Sequence, residues 1–118
     1  WWSDETKLPL PLGGNAVRRD LPPELQRRCT SLIRESVQYA MDHREEAVAY
    51  ALSFGRGLDP EKGSRFIGMY VNDYSLCLGE KGRRAIQVLF RLASQKGLFP
   101  RPPKFRDFEA IPGFKKVP

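Results

Sequence analysis

A chain of 118 residues suffices for one small domain and is too short for two of full size. The apolar fraction of 41% is ordinary for a globular protein, the charged fraction of 29% is slightly rich, and no apolar run approaches the roughly 20 residues that span a bilayer, so no spanning helix is expected and the chain reads as soluble without a membrane partner. The net charge of +6 invites an anionic partner, but Arg18–Arg19, Arg27–Arg28 and Arg83–Arg84 lie scattered among carboxylates, with no RNA motif or recognition-helix pattern, and no nucleic-acid partner is expected.

Two further facts of composition bear on setting. Cys29 and Cys77 stand far apart beside a single histidine, outside any metal-ligand spacing, so no metal site is expected. They read as reduced thiols of a cytoplasmic protein, with Cys29 packed on a helix face. Trp1 and Trp2 open the sequence, and two large apolar rings suit a frayed terminus badly, so the start reads as a cut through a longer protein.

Residues 8–19 read as an extended strand, because Pro9 and Pro11 alternate with Leu8, Leu10 and Leu12 and proline forbids helix while removing ladder donors. Gly13 and Gly14 then offer a bend or a close approach of the backbone to another group, and Asn15 follows. A lone strand leaves half of its backbone groups unpaired, so the chain calls for strands that it does not contain, or for a second copy in a homo-oligomer.

Four helices are expected next. Asp20 as a capping carboxylate, then Pro22, Pro23 and Glu24, opens the first, over about 22–41. Its inward stripe is Leu25, Cys29, Leu32, Ile33, Ser36, Val37, Ala40 and Met41. Asp42 and Glu45 form a capping box for the second, over about 43–55, with Ala47, Val48, Ala51 and Leu52 inward and Gly55-Arg56-Gly57 as its stop. His43 in that cap region reads as structural rather than as a general base.

Asp59-Pro60-Glu61 opens the third, over about 60–71, where Gly63 and Gly68 lower helix propensity so that packing must hold it. Asn72-Asp73 breaks the pattern and residues 75–78 form a linker. The last helix runs over about 79–96 with Ala85, Ile86, Leu89, Leu92 and Ala93 inward, closed by Gly97 in a left-handed cap with Leu98 behind it. The proline-rich tail, 99–118, wraps a neighbour or is disordered despite Phe105, Phe108 and Phe114.

Three stretches stand in order: LPLPLGGNAVRRDL at 8–21, SVQYAMDHREEAVAYALSFGRGLD at 36–59 and MYVNDYSLCLGEKGRRAIQVLF at 69–90. This succession resembles the C-terminal half of the menaquinone-biosynthesis family that contains chorismate dehydratase and 1,4-dihydroxy-6-naphthoate synthase, over residues 1–98. The stretch through Gly13-Gly14-Asn15 and the Tyr70-Val71-Asn72-Asp73 sequence favour the naphthoate synthase branch over the dehydratase. Cys77 departs from an aspartate expected there, which removes a possible helix cap and weakens the last helix by about 1 kcal/mol.

The resemblance implies a two-lobed α/β fold like that of type II periplasmic binding proteins, with no metal or cofactor, of which this chain supplies a mostly helical part lacking the N-terminal lobe. It implies a lyase of the futalosine pathway that converts the small-molecule substrate cyclic dehypoxanthinylfutalosine to 1,4-dihydroxy-6-naphthoate. Removing a proton while charge develops on oxygen requires a base and amide donors. The family's base is a histidine upstream of the part that matches Trp1, so no catalytic residue is carried onto this chain and it is expected to be inactive alone.

For substrate binding the resemblance offers Gly13 and Gly14 as exposed amides, Asn15 as an amide side chain and Arg18 as a fork for a carboxylate. A plain bend at Gly13–Asn15 and a solvated Arg18 are the competing readings. Asn72-Asp73 reads as a cap or a tie of the third helix to the hinge. A solute-binding lobe of the same fold and a basic nucleic-acid-binding helical protein are the alternatives outside enzymology.

Overall fold

The computed structural model describes residues 1–55, 57, 59–101, 103, 104, 106 and 107. They form α1 (Trp2–Thr6), α2 (Pro23–Asp42), α3 (Arg44–Leu52), α4 (Pro60–Tyr70), α5 (Asp73–Leu76) and α6 (Gly79–Gln95). Two compact units result, one from Trp1–Arg28 with Leu78–Pro118, the other from Cys29–Cys77.

The four expected helices are present as α2, α3, α4 and α6, but no described residue lies in a strand. The stretch expected as a strand at 8–19 is an arm without regular structure, for the reason its sequence raises: a strand exists only against a partner strand. Two short helices were not expected. α1 carries the arm's anchor, since Trp2 is buried and its Nε1 donates to the carbonyls of Leu8 and Pro9, both at 3.0 Å. α5 takes in the first half of the linker expected at 75–78, and Cys77 beyond it is extended.

In the unit built from the chain's two ends, the buried apolar side chains among the described residues are Trp2 and Ala85, and Gly82 is buried beside Ala85 on α6. Phe90 on α6 meets Phe99 edge-on with ring centroids 5.9 Å apart. α6 ends as expected: Gly97 adopts φ 72°, which only glycine takes without strain, and Leu98 N–H reaches back to the Ala93 carbonyl at 3.0 Å. The start of α2 differs from expectation. Pro22 precedes its first residue, and the Asp20 carboxylate pairs with Arg18 rather than sitting at the cap.

The second unit holds α3, α4 and α5. α3 and α4 pack through a slot at Gly63, where Leu52 inserts so closely that an added Cβ would lie 2.4 Å from its Cδ2. Arg44 fastens the far end by donating from Nη2 to the Ser64 carbonyl at 3.0 Å. α4 starts as the sequence indicates: Asp59 accepts from the amides of Glu61 and Lys62, each at 3.1 Å. The capping box at Asp42 is corrected, because Asp42 is the last residue of α2 and accepts from Gln38, while His43 precedes α3 with no side-chain cap. α3 also stops three residues early, at Leu52, through turn bonds to Ser53, Phe54 and Gly55; Arg56 lies outside the described residues.

The inward stripes are only partly covered. Val37, Ala40 and Met41 of α2 are half-buried, whereas Leu25, Leu32, Ile33 and Cys29 are exposed, so Cys29 does not pack on a helix face as expected. Ala47, Val48 and Leu52 of α3 are half-buried and Ala51 is exposed. Tyr50 and Phe54 form an edge-on pair 5.2 Å apart while each remains more than 70% exposed, so α3 carries an uncovered aromatic face. Phe66, Met69 and Tyr70 do the same on α4.

Candidate functional site

The arm between Leu8 and Leu21 carries the candidate residues. Its first end is fixed by Trp2, and by Thr6, whose Oγ1 accepts from Leu8 N–H at 3.2 Å. Its second end is fixed by Gln26 at the start of α2. That side chain is 4% exposed and its Nε2 donates to the carbonyls of Arg19 and Leu21, at 3.0 and 2.7 Å. A buried amide satisfied by two carbonyls holds the turn into α2 in one shape.

Between those ends Gly13, Gly14, Asn15 and Arg18 are all exposed. Neither glycine has positive φ, and a Cβ on either would meet nothing within 4 Å. Neither backbone strain nor crowding among the described residues therefore requires glycine there. The pair lies in exposed main chain without regular structure.

Arg18 is held by a neighbour that sequence reasoning assigned to helix capping. Its Nε donates to Asp20 Oδ1 at 2.9 Å and its Nη2 bonds Oδ2 of the same carboxylate, a fork-to-fork pair. The hydrogen bond from Arg18 holds the Asp20 carboxyl below the usual aspartate range and pushes the guanidinium up. Arg18 is thus exposed and at the same time held against Asp20, with Nη1 outside the fork. The Arg-x-Asp spacing was the available signal for this pair. Both side chains are mostly exposed, so the pair orients the arm more than it stabilises it.

Elsewhere the candidate positions are structural. Asn72 caps α5: its side chain accepts from Tyr74 N–H at 3.0 Å, and its own N–H donates to Ser75 Oγ at 3.2 Å. Asn72 Nδ2 also donates to the Met69 carbonyl, 3.3 Å away, so it ties α4 to the helix that follows it. His43 is exposed and stacks on Tyr39 at 4.1 Å, and its Nδ1 lies 3.0 Å from the Tyr39 carbonyl, which can only accept, so Nδ1 carries the hydrogen. Among the described residues no group of three His, Cys, Asp or Glu is placed to hold a metal ion, and no helix is long and apolar enough to cross a membrane.

A family model described as menaquinone biosynthesis matches residues 1–95. A 1,4-dihydroxy-6-naphthoate synthase of Thermus thermophilus is 43% identical over 105 residues, covering 86% of this chain and 39% of that protein. The synthase of the same name from Streptomyces coelicolor is 36% identical over 99 residues, covering 84% of this chain and 35% of its own length. A crystal structure of an Archaeoglobus fulgidus protein superposes with a TM-score of 0.78 at 46% identity, over 84% of this chain and 38% of that one. The chain therefore spans less than two-fifths of each of these relatives.

Proposed function

The chain belongs to the menaquinone-biosynthesis family, and from that premise we propose that it forms the C-terminal part of a lyase that converts cyclic dehypoxanthinylfutalosine to 1,4-dihydroxy-6-naphthoate. The observation that carries the reading is 43% identity to a naphthoate synthase across 86% of the chain. Its fold in this proposal is part of a two-lobed α/β architecture of the periplasmic-binding-protein kind, in which strands from outside the matched region pair with the arm.

The exposed apolar faces of α2, α3 and α4 support that arrangement, because side chains such as Leu32, Tyr50 and Phe54 are of the kind a larger protein buries. The general base comes from the remaining part of such a protein, and this chain's share of the work is to grip substrate. The uncovered amides near Gly13 and Gly14 and the side-chain amide of Asn15 offer donors to an oxygen that gains charge. Arg18 meets a substrate carboxylate with Nη1, the nitrogen that its fork with Asp20 does not use. The enzyme acts in the cytoplasm on a freely diffusing small molecule and uses no cofactor.

A chimera tests this. Residues 1–95 of this chain replace the matching stretch of the Thermus synthase, and turnover of cyclic dehypoxanthinylfutalosine is followed by mass spectrometry. Product formation is expected, and a folded chimera without turnover would refute the assignment. The 118-residue chain by itself is expected to give no product. Turnover by the isolated chain would show that the base lies within it.

A further inference from the structure

The family model stops at residue 95, and nothing yet accounts for the chain beyond it. The described residues of that region touch the arm and both neighbouring helices in an ordered way. Arg19 Nη2 donates to the Lys104 carbonyl at 2.8 Å. Arg106 Nη2 approaches Gln26 Oε1 at 3.5 Å, a long contact. Arg83 Nη1 on α6 donates to Asp107 Oδ2 at 2.7 Å.

Burial separates this arrangement from a chance surface contact. The Asp107 side chain is 5% exposed, and a carboxylate so deeply placed is tolerated only with a cation against it, which Arg83 supplies. Gln26 is more deeply buried still and is held at both ends: its Nε2 donates to the arm carbonyls of Arg19 and Leu21, and its Oε1 faces Arg106. The contacts close a ring from Arg19 to Lys104, through Arg106 to Gln26, and back to the Arg19 carbonyl. Residues more than 75 apart in sequence thus share one polar network.

We infer that the stretch bearing Lys104, Arg106 and Asp107 is an intramolecular strap that pins the Arg19–Leu21 end of the arm to α2 and α6. The span from Gly13 to Arg18 has no regular structure, so its position depends on its two ends. Trp2 fixes one and the strap secures the other. Asp107 acts as a positioning residue here: Arg83 holds its carboxylate, and the main chain it shares with Lys104 and Arg106 carries that anchorage to Arg19 and Gln26. The consequence for substrate rests on the reading proposed above, whereas the strap itself does not.

The test uses the full chain and its Asp107→Asn variant, with helical circular dichroism confirming that both are folded. Trypsin cleavage after Lys104 is expected to run about tenfold faster in the variant, and cleavage after Arg19 in the arm to rise with it. The charge-reversed pair Arg83→Asp with Asp107→Arg is expected to restore much of the protection. Equal cleavage of wild type and Asp107→Asn after Lys104 would overturn the strap. Faster cleavage after Lys104 with unchanged cleavage after Arg19 would overturn its hold on the arm. If Asp107→Asn loses helical signal, Arg19→Gln decides, since it removes the tie to the Lys104 carbonyl and is expected to speed cleavage after Lys104; no change there refutes the inference. Neither readout uses substrate, so failure of the strap and failure of the lyase assignment are separate results.

Discussion

Replacing Gly63 with alanine sets two forces against each other inside the α3–α4 pair. Alanine in a helix interior is favoured over glycine by about 1 kcal/mol, and Gly63 lies within α4. Opposing this, the new Cβ would stand 2.4 Å from Leu52 Cδ2 and 3.5 Å from its Cγ. Carbon pairs prefer roughly 3.5–4.0 Å, so the methyl end of Leu52 must move by more than an ångström. Overpacking of this kind costs about 1–3 kcal/mol, reduced where the obstacle is the free end of a side chain that can change rotamer.

The expected result for Gly63→Ala is therefore a loss of up to about 2 kcal/mol after the gain in propensity is subtracted. The decisive comparison is the same substitution in a Leu52→Ala background. There the obstacle is gone, and Gly63→Ala should raise stability by about 1 kcal/mol. Urea unfolding of all four proteins closes the cycle, with a coupling of about 1–3 kcal/mol expected between the two positions. An equal stabilisation by Gly63→Ala in both backgrounds would refute the claim that Leu52 dictates the glycine.

Two other expectations follow from local geometry. The depressed Asp20 carboxyl means that its pair with Arg18 is intact above the ordinary carboxylate range and opens as pH falls through the lowered value. A carboxyl titration by NMR should find Asp20 below an ordinary aspartate and returned toward it in Arg18→Gln; an unchanged titration would exclude the fork in solution. The cap position of α6 is Leu78, followed by Gly79 at φ 57°, so Cys77, where the sequence expected a lost cap, stands one residue ahead of it. Cys77→Asp should therefore shift the unfolding free energy by less than about 0.5 kcal/mol, and a gain of about 1 kcal/mol in urea unfolding would show that position 77 caps α6 after all.

The legible part of this protein lies where the determining interactions are short in sequence. Asp59 and Pro60 start α4, and Gly97 with Leu98 closes α6, because a cap joins a side chain or a φ angle to amides one turn away. Where two local partners compete, the sequence was misleading. Asp20 serves Arg18 two residues back instead of α2, and Asp42 ends one helix instead of beginning another. Both are single carboxylates with more than one acceptable use, and backbone geometry chooses between them.

Of the candidate site, the sequence identified the stretch and its family but not what holds it. Gly13, Gly14 and Asn15 are exposed, which a substrate contact and a plain bend share, while Gln26 and Asp107 are polar residues that the fold buries. Hydrophobic periodicity along α2 and α6, with the start and stop residues around α3 and α4, determined by sequence alone roughly where the four longer helices run. Only tertiary structure decided that the arm is no strand, that Leu52 fills the place of a side chain at Gly63, and that Arg83 meets a carboxylate 24 residues away. The physical reason is range: helix hydrogen bonds and caps close within a turn, whereas strand pairing, interlocking side chains and buried ion pairs depend on what the rest of the chain brings alongside.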